Sequence, residues 1–166
     1  MAEIKLGAEY AKELESEVAS TRKCLERISE KLFDYKPHEK SMALGYLSVL
    51  VSEIPRWIAV SLRDGEIDFV TFSHPDIKNT AELVKYFDDN VAAAKKELNA
   101  VTNEQLNATF SLKNNGQLLY SSSMKDNVSS CINHMVHHRG QLTVYMRLND
   151  IAVPSIYGPS ADDKSF

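Results

Sequence analysis

The sequence predicts an all-α four-helix bundle, with a short β-hairpin between the third and fourth long helices. Three observations carry this: four stretches whose apolar residues recur at steps of three and four, Pro, Gly and Asn where those stretches stop, and a length of 166 residues that suits one domain spanning 1–166. Hydrophobic residues make up 43% and charged residues 25%, the profile of a globular chain rather than a disordered one.

The first stripe is Leu14, Val18, Thr21, Leu25, Ile28 and Leu32, with Glu13, Glu17, Arg22, Lys23 and Glu30 mostly off it. Pro37 biases Lys36 away from the α region, so this helix is predicted to end near Asp34 or Tyr35, and Ser41 is the predicted cap of the next. Leu44, Leu47, Val51, Ile54 and Ile58, flanked by Leu50 and Trp57, form the second and most apolar stripe, kinked at Pro55 and stopped by Asp64-Gly65. Residues 65–78 then read as a connection, extended at His74-Pro75.

Asn79, with Glu82 three positions on, caps a third helix whose stripe is Val84, Phe87, Val91, Ala94, Leu98 and Val101. Phe110 and Leu112, then Asn115-Gly116, then Leu118 and Tyr120 suit a hairpin with a type I′ turn, or else an irregular loop. The fourth stripe runs Met124, Val128, Cys131, Met135, His138, Leu142 and Tyr145, a helix from about Ser122 to Asn149. Gly140 inside it suggests that another backbone or a ligand comes close.

Composition limits the function classes. Lys plus Arg number 19 against 23 Asp plus Glu, a net charge of −4, so no basic field favours direct contact with nucleic acid. Met1 to Glu13 carries Glu3, Lys5, Glu9, Lys12 and Glu13 without an apolar run, which predicts no secretory signal and a cytoplasmic protein. Leu44 to Leu62 contains Glu53, Pro55 and Arg56, so it reads as a core helix and no membrane association is expected. Cys24 and Cys131 are too few for a disulfide framework and read as reduced apolar fillers.

Chemistry concentrates on the last helix. His134 and His138, four apart, share one face, and His138 lies on the apolar seam itself. Neutral imidazole suits Zn²⁺, Ni²⁺ or Fe²⁺, although such a spacing serves packing as readily as ligation. His137 is turned about 100° from His138, toward a neighbouring helix or water. Arg139 and Arg147 read as surface or ion-paired, and Trp57, Tyr145 and Tyr157 as core or cleft aromatics. Ser121, Ser122 and Ser123 form a helix cap rather than a nucleophile.

His134-Met-Val-His-His138-Arg-Gly-Gln141-Leu-Thr-Val-Tyr145-Met-Arg147 resembles the last-helix signature of the DinB family, also called DinB/YfiT-like proteins. Val153-Pro-Ser-Ile-Tyr157-Gly-Pro-Ser160-Ala-Asp162 is similar to the segment that follows that helix in one branch. Pro37-His38-Glu-Lys-Ser41-Met-Ala-Leu44-Gly45-Tyr-Leu47 and Glu53-Ile-Pro55-Arg-Trp57 resemble its second helix, so the likeness extends over residues 37–162. It implies a bundle in which one histidine of helix two and two of helix four hold a divalent metal at the base of a cleft. Some such proteins are thiol transferases or isomerases, and many have no assigned activity.

His134 and His138 match the two helix-four ligands, but the helix-two position falls on Leu50, which cannot bind a metal. Two imidazoles alone hold Zn, Ni or Fe weakly or not at all. Glu53, one turn from Leu50, is either a substitute oxygen ligand or a solvated or salt-bridged carboxylate; His74 and His38 reach the cleft only if their loops fold over it. Leu50, Glu53, Trp57 and Tyr145 are therefore the pocket candidates.

Two functions follow from the resemblance. The favoured one is a small-molecule-binding or structural bundle with an incomplete metal site, its two histidines hydrogen-bonded to each other, to water or to Glu53. The alternative is a metal-dependent enzyme of the thiol transferase, isomerase or hydrolase type that uses His134, His138 and a substitute ligand. The family's damage-inducible name suggests a weaker link to stress response and DNA repair. A leftover apolar face predicts a two-fold homodimer.

Overall fold

The computed structural model describes residues 5–165, so the charged stretch read from Met1 lies outside the described residues up to position 4. Four long helices form the bundle: α1 Leu6–Glu26, α2 Leu44–Asp64, α3 Thr80–Ala100 and, after the short α4 Asn103–Asn107, α5 Met124–Leu148. Each of α1 and α2 packs against both α3 and α5, so α1 and α2 face each other across the diagonal of the bundle. The predicted stripes meet there: Leu14, Leu25, Leu47, Val51, Ile54, Ile58, Phe87, Leu98, Val128, Met135 and Leu142 are buried in one core. Each such side chain contributes roughly 1.5–3 kcal/mol by leaving water.

The first helix is displaced from its predicted bounds at both ends. It begins at Leu6 because its first turns bury the small Gly7 and Ala11 against the rest of the bundle, packing that an apolar stripe does not announce. A methyl group on Gly7 would collide with the Leu98 backbone carbonyl. Its α-form stops at Glu26, and a 3₁₀ turn over Glu30–Leu32 follows, with Ser29 Oγ accepting the Lys31 N–H. Leu25, Ile28 and Leu32 are spaced by three and four, and three residues also make one 3₁₀ turn, so spacing did not separate the two helix types.

Ser41 does not cap α2. The N-cap is Ala43, and the exposed amides of the first turn are taken by backbone: Leu44 N–H donates to Tyr35 C=O and Gly45 N–H to Phe33 C=O, both at 2.9 Å. This close return of the chain leaves a Cβ on Gly45 only 2.8 Å from Phe33 Cβ. Pro55 lies inside α2, which runs unbroken to Asp64, and Gly65 at φ 75° makes the expected left-handed stop.

The 65–78 connection contains an unforeseen strand, β1 Glu66–Asp68, too short and with too little apolar content for periodicity to detect. It pairs in parallel with β2 Thr109–Asn114, which forms the predicted hairpin with β3 Gln117–Ser123. Asn115 and Gly116 both have positive φ, 51° and 76°, as a type I′ turn requires. The Asp68 carboxylate ties β1 to this turn by accepting the Asn115 and Gly116 N–H groups at 3.0 and 2.7 Å.

Ser123 caps α5 by accepting the Asp126 N–H. Gly140 is not a close-approach position for another segment: beyond the local turns of α5, no atom of the described residues lies within 4 Å of where its Cβ would be. Gly140→Ala should therefore raise stability, by up to about 1 kcal/mol, through better helix propensity. Gly7→Ala should lower it. Denaturant midpoints of the two variants, moving in opposite directions from the parent, check this. Among the described residues no helix is long and apolar enough to cross a membrane.

Candidate functional site

The helical repeat of α5 places His134 half-buried and His138 buried, one turn apart, with their Nε2 atoms 2.7 Å from each other. His138 Nδ1 lies 2.7 Å from Gln141 Oε1. With the amide oxygen as acceptor, His138 donates from Nδ1 and accepts at Nε2, so His134 donates the proton between the rings. Trp57 of α2 packs on His134, ring centroids 5.4 Å apart, and the exposed His137 touches His138 edge-on.

Burial, and then the neighbouring His138 and His137, push the His134 pKa below its ordinary value of 6.5. An unfolded chain therefore takes up this proton at a higher pH than the native one. The stabilisation is full above about 6.5 and is lost as pH falls from there through the lowered native value. Melting temperature should thus drop between pH 7.5 and pH 5.5, and His134→Gln should flatten that drop; an unchanged slope would place its origin elsewhere.

The residues present do not fit a three-ligand metal centre. The two imidazoles are spent on each other, and Leu50 lines a cavity without offering a donor. Among the described residues no group of three or more His, Cys, Asp or Glu is placed to hold a metal. His38 sits on the exposed loop before α2, where Nδ1 accepts the Lys40 N–H.

Glu53 is not solvated; it takes the salt-bridged form of the expectation, with Arg56 and His74 as partners. It is 1% exposed and accepts from Tyr86 Oη of α3 at 2.8 Å and from Trp57 Nε1 at 3.4 Å, with His74 Nδ1 at 2.7 Å and Arg56 at 3.5 Å. Desolvation, and then the bond to Glu53, raise the Tyr86 pKa. Arg56 also donates to the Ser73 carbonyl at 2.7 Å and lies 4.2 Å over the Phe72 ring. The connection between β1 and α3 is thereby folded over α2, and His74 does reach the cleft.

Two cavities of about 300 Å³ each meet at His74, which lines both. Leu50 and Glu53 are on the wall of the first, beside Phe33 and Tyr46. Trp57 and His134 are on the wall of the second, with Phe72, Phe110, Leu112 and Asn127. Asn127 is 9% exposed, and its Nδ2 has no hydrogen-bond partner among the described residues. Sequence reasoning missed Asn127, Tyr86 and Arg56. The signal for Asn127 was its heptad spacing with His134 and Gln141 on the flank of the apolar stripe.

Tyr145 lines neither cavity; it is buried, its Oη donating to the Met42 carbonyl at 3.1 Å and its ring edge-on to Tyr35. Cys24 and Cys131 are free, buried thiols, pushed up to about 11 and about 12 chiefly by desolvation, which leaves them poor nucleophiles. Ser123, the last residue of β3, is the α5 cap, and Ser121 and Ser122 precede it in the strand. Arg147 pairs with Asp162 on the tail. Arg139 is ion-paired but not at the surface: at 1% exposed it reaches Glu17, Ser20, Thr21 and Tyr157 and fastens the tail to α1.

A four-helix bundle with a small three-stranded sheet and a histidine-walled cleft between α2 and α5 defines a class of helical cleft proteins. The chain belongs to the DinB family, whose model matches residues 1–165. A crystal structure of the DinB-like protein YjoA from Bacillus subtilis superposes with a TM-score of 0.70 at 20% identity, covering 94% of this chain and 99% of that one. A DinB-like protein from Bacillus cereus ATCC 10987 gives 0.69 at 21% identity, covering 89% and 95%. At such identities these likenesses speak to the fold alone. The uncharacterised protein YrdA of Bacillus subtilis strain 168 is 53% identical over 32 residues, which is 19% of this chain and 19% of that protein.

Proposed function

We propose that this chain is a small-molecule-binding DinB protein whose ligand occupies the second cavity, between α2, the sheet and α5. The observation that carries it is the Asn127 Nδ2 group, buried on an aromatic wall with no partner among the described residues. An unsatisfied buried donor costs about 1–3 kcal/mol, and a ligand acceptor would remove that cost. A cavity of about 300 Å³ stands at the lower end of small-molecule sites. The ligand class is accordingly a compact, uncharged, mostly apolar compound with one carbonyl.

Trp57 is the chain's one tryptophan and lies on the cavity wall, so its fluorescence reports occupancy directly. Titration with 2-heptanone should give a saturable change, absent with heptane and weakened in Asn127→Leu. No saturable change with the ketone would overturn the proposal.

A divalent metal held by His134 and His138 is secondary in this reading, because binding one must break their mutual hydrogen bond and find a third ligand. Calorimetric titration with zinc chloride, on protein without a histidine tag, should give no tight stoichiometric binding. Tight binding lost on His138→Ala would put the metal-dependent enzyme first.

A further inference from the structure

We propose that Glu53, His74 and Asn127 form a hydrolytic centre for a small, uncharged carboxylic ester in the second cavity. This rests on the ligand site proposed above and adds a reaction to it. The buried Glu53 carboxylate holds His74 through Nδ1 at 2.7 Å, which places the proton on Nδ1 and leaves the lone pair on Nε2. Among the described residues Nε2 has no hydrogen-bond partner, and the ring lines the cavity that Asn127 also lines. Glu53 is itself fixed by Tyr86 and Trp57, so the imidazole is oriented by a carboxylate that cannot turn away.

The chemistry needs only water as co-reactant. His74 Nε2 takes a proton from water as the water oxygen forms a bond to the ester carbonyl carbon, and the C=O π pair moves onto the carbonyl oxygen. Asn127 Nδ2–H donates to that oxygen, where negative charge develops in a largely apolar wall. The carbonyl then reforms, the C–O bond to the alcohol breaks, and the departing alkoxide takes the proton from the His74 imidazolium. The products are a carboxylic acid and an alcohol. His74 is the general base and then acid, Asn127 the donor to the oxyanion, and Glu53 a positioning residue that acts through His74.

p-Nitrophenyl butyrate is the probe for turnover and 2-heptanone, read by Trp57 fluorescence, the probe for binding. The parent protein should hydrolyse the ester with saturation. His74→Ala should lower kcat/KM by about 100-fold or more, in line with loss of a general base, while ketone binding persists. The His74 side chain is 58% exposed, so this variant keeps the core intact, and His38→Ala on the exposed loop before α2, which lines neither cavity, should leave turnover unchanged.

Glu53→Gln is the test of positioning. The charged and titratable groups around His74 are Glu53 and Arg56 of α2, Tyr86 of α3, Asp34 and Asp76 on the wall of the first cavity, and Tyr120 of β3 with Cys131 and His134 of α5 on the wall of the second. Removing the carboxylate charge should move the midpoint of the pH–rate profile to lower pH and lower kcat more than it raises KM. Ketone binding without saturable turnover, or turnover that survives His74→Ala, would overturn the hydrolytic centre and leave the ligand site standing. Loss of both readouts in the parent protein would overturn both.

Discussion

Arg139→Ala should be the most damaging single substitution in the molecule outside the apolar core, costing about 3–5 kcal/mol. Arg139 is 1% exposed, and its Nη1 lies 2.6 Å from Glu17 Oε2, 2.9 Å from Ser20 Oγ and 3.0 Å from Thr21 Oγ1. Its Nη2 donates to Tyr157 Oη at 2.9 Å, and that hydroxyl donates onward to Glu17 at 3.0 Å. Truncation leaves the Glu17 carboxylate without its cation between α1 and α5, takes a donor from Ser20 Oγ and Thr21 Oγ1, and removes one of the ties on the 151–165 tail, beside Arg27 to the Ala152 carbonyl and Arg147–Asp162. For a chain of this length the melting temperature should fall by on the order of 10 °C. Arg139→Met combined with Glu17→Gln should recover part of the loss, since the second change removes the stranded charge. A fall of only a degree or two in Arg139→Ala would mean that water replaces the guanidinium and that the tail is held by Arg147–Asp162 instead.

The same network marks a boundary of what the sequence could say. The stripes of α2, α3 and α5 were legible because large apolar residues at helical spacing have one stable outcome, a shared core. Asn79, Gly65 and Asn115-Gly116 were legible because a cap, a left-handed stop and a type I′ turn each demand particular residues. Gly7 and Ala11 were not, since small residues stabilise through how closely they let helices approach rather than through their own hydrophobicity. The i, i+4 histidine pair announced its shared face, and the structure puts one hydrogen bond between the rings.

The Glu53 cluster was beyond reach of spacing. Only Arg56 and Trp57 are near it along the chain, while His74 and Tyr86 come from two other segments. Nothing in residues 65–78 signalled that Arg56 would pin that connection at Ser73 and Phe72 and so carry His74 over α2. A buried carboxylate needs donors, and that requirement was legible. Which segments supply them depends on how the loop folds, a tertiary fact that local propensity does not contain.

Asn127→Leu should make the protein more stable and less able to bind. Leucine has asparagine's branching and heavy-atom count, the cavity beside it takes up the extra volume of its methyls, and it brings no donor, so it removes the desolvation cost of the unpartnered Nδ2 and extends the apolar wall made by Phe110 and Leu112. The expected gain is about 1–3 kcal/mol, or several degrees in melting temperature. Little is given up in exchange, because the thiol that faces Asn127 Oδ1 is a weak donor and Cys131 Sγ lies 4.0 Å away. Ser61→Ala is the matched control: Ser61 Oγ is the other buried side-chain atom without a partner among the described residues, and Ser61 lines neither cavity at His74. Both variants should be stabilised, but only Asn127→Leu should blunt the saturable response of Trp57 to 2-heptanone. That combination is expected of a residue kept for a ligand at the expense of the fold. A destabilised Asn127→Leu protein would mean that the amide already has its partner in solvent and that its place is structural.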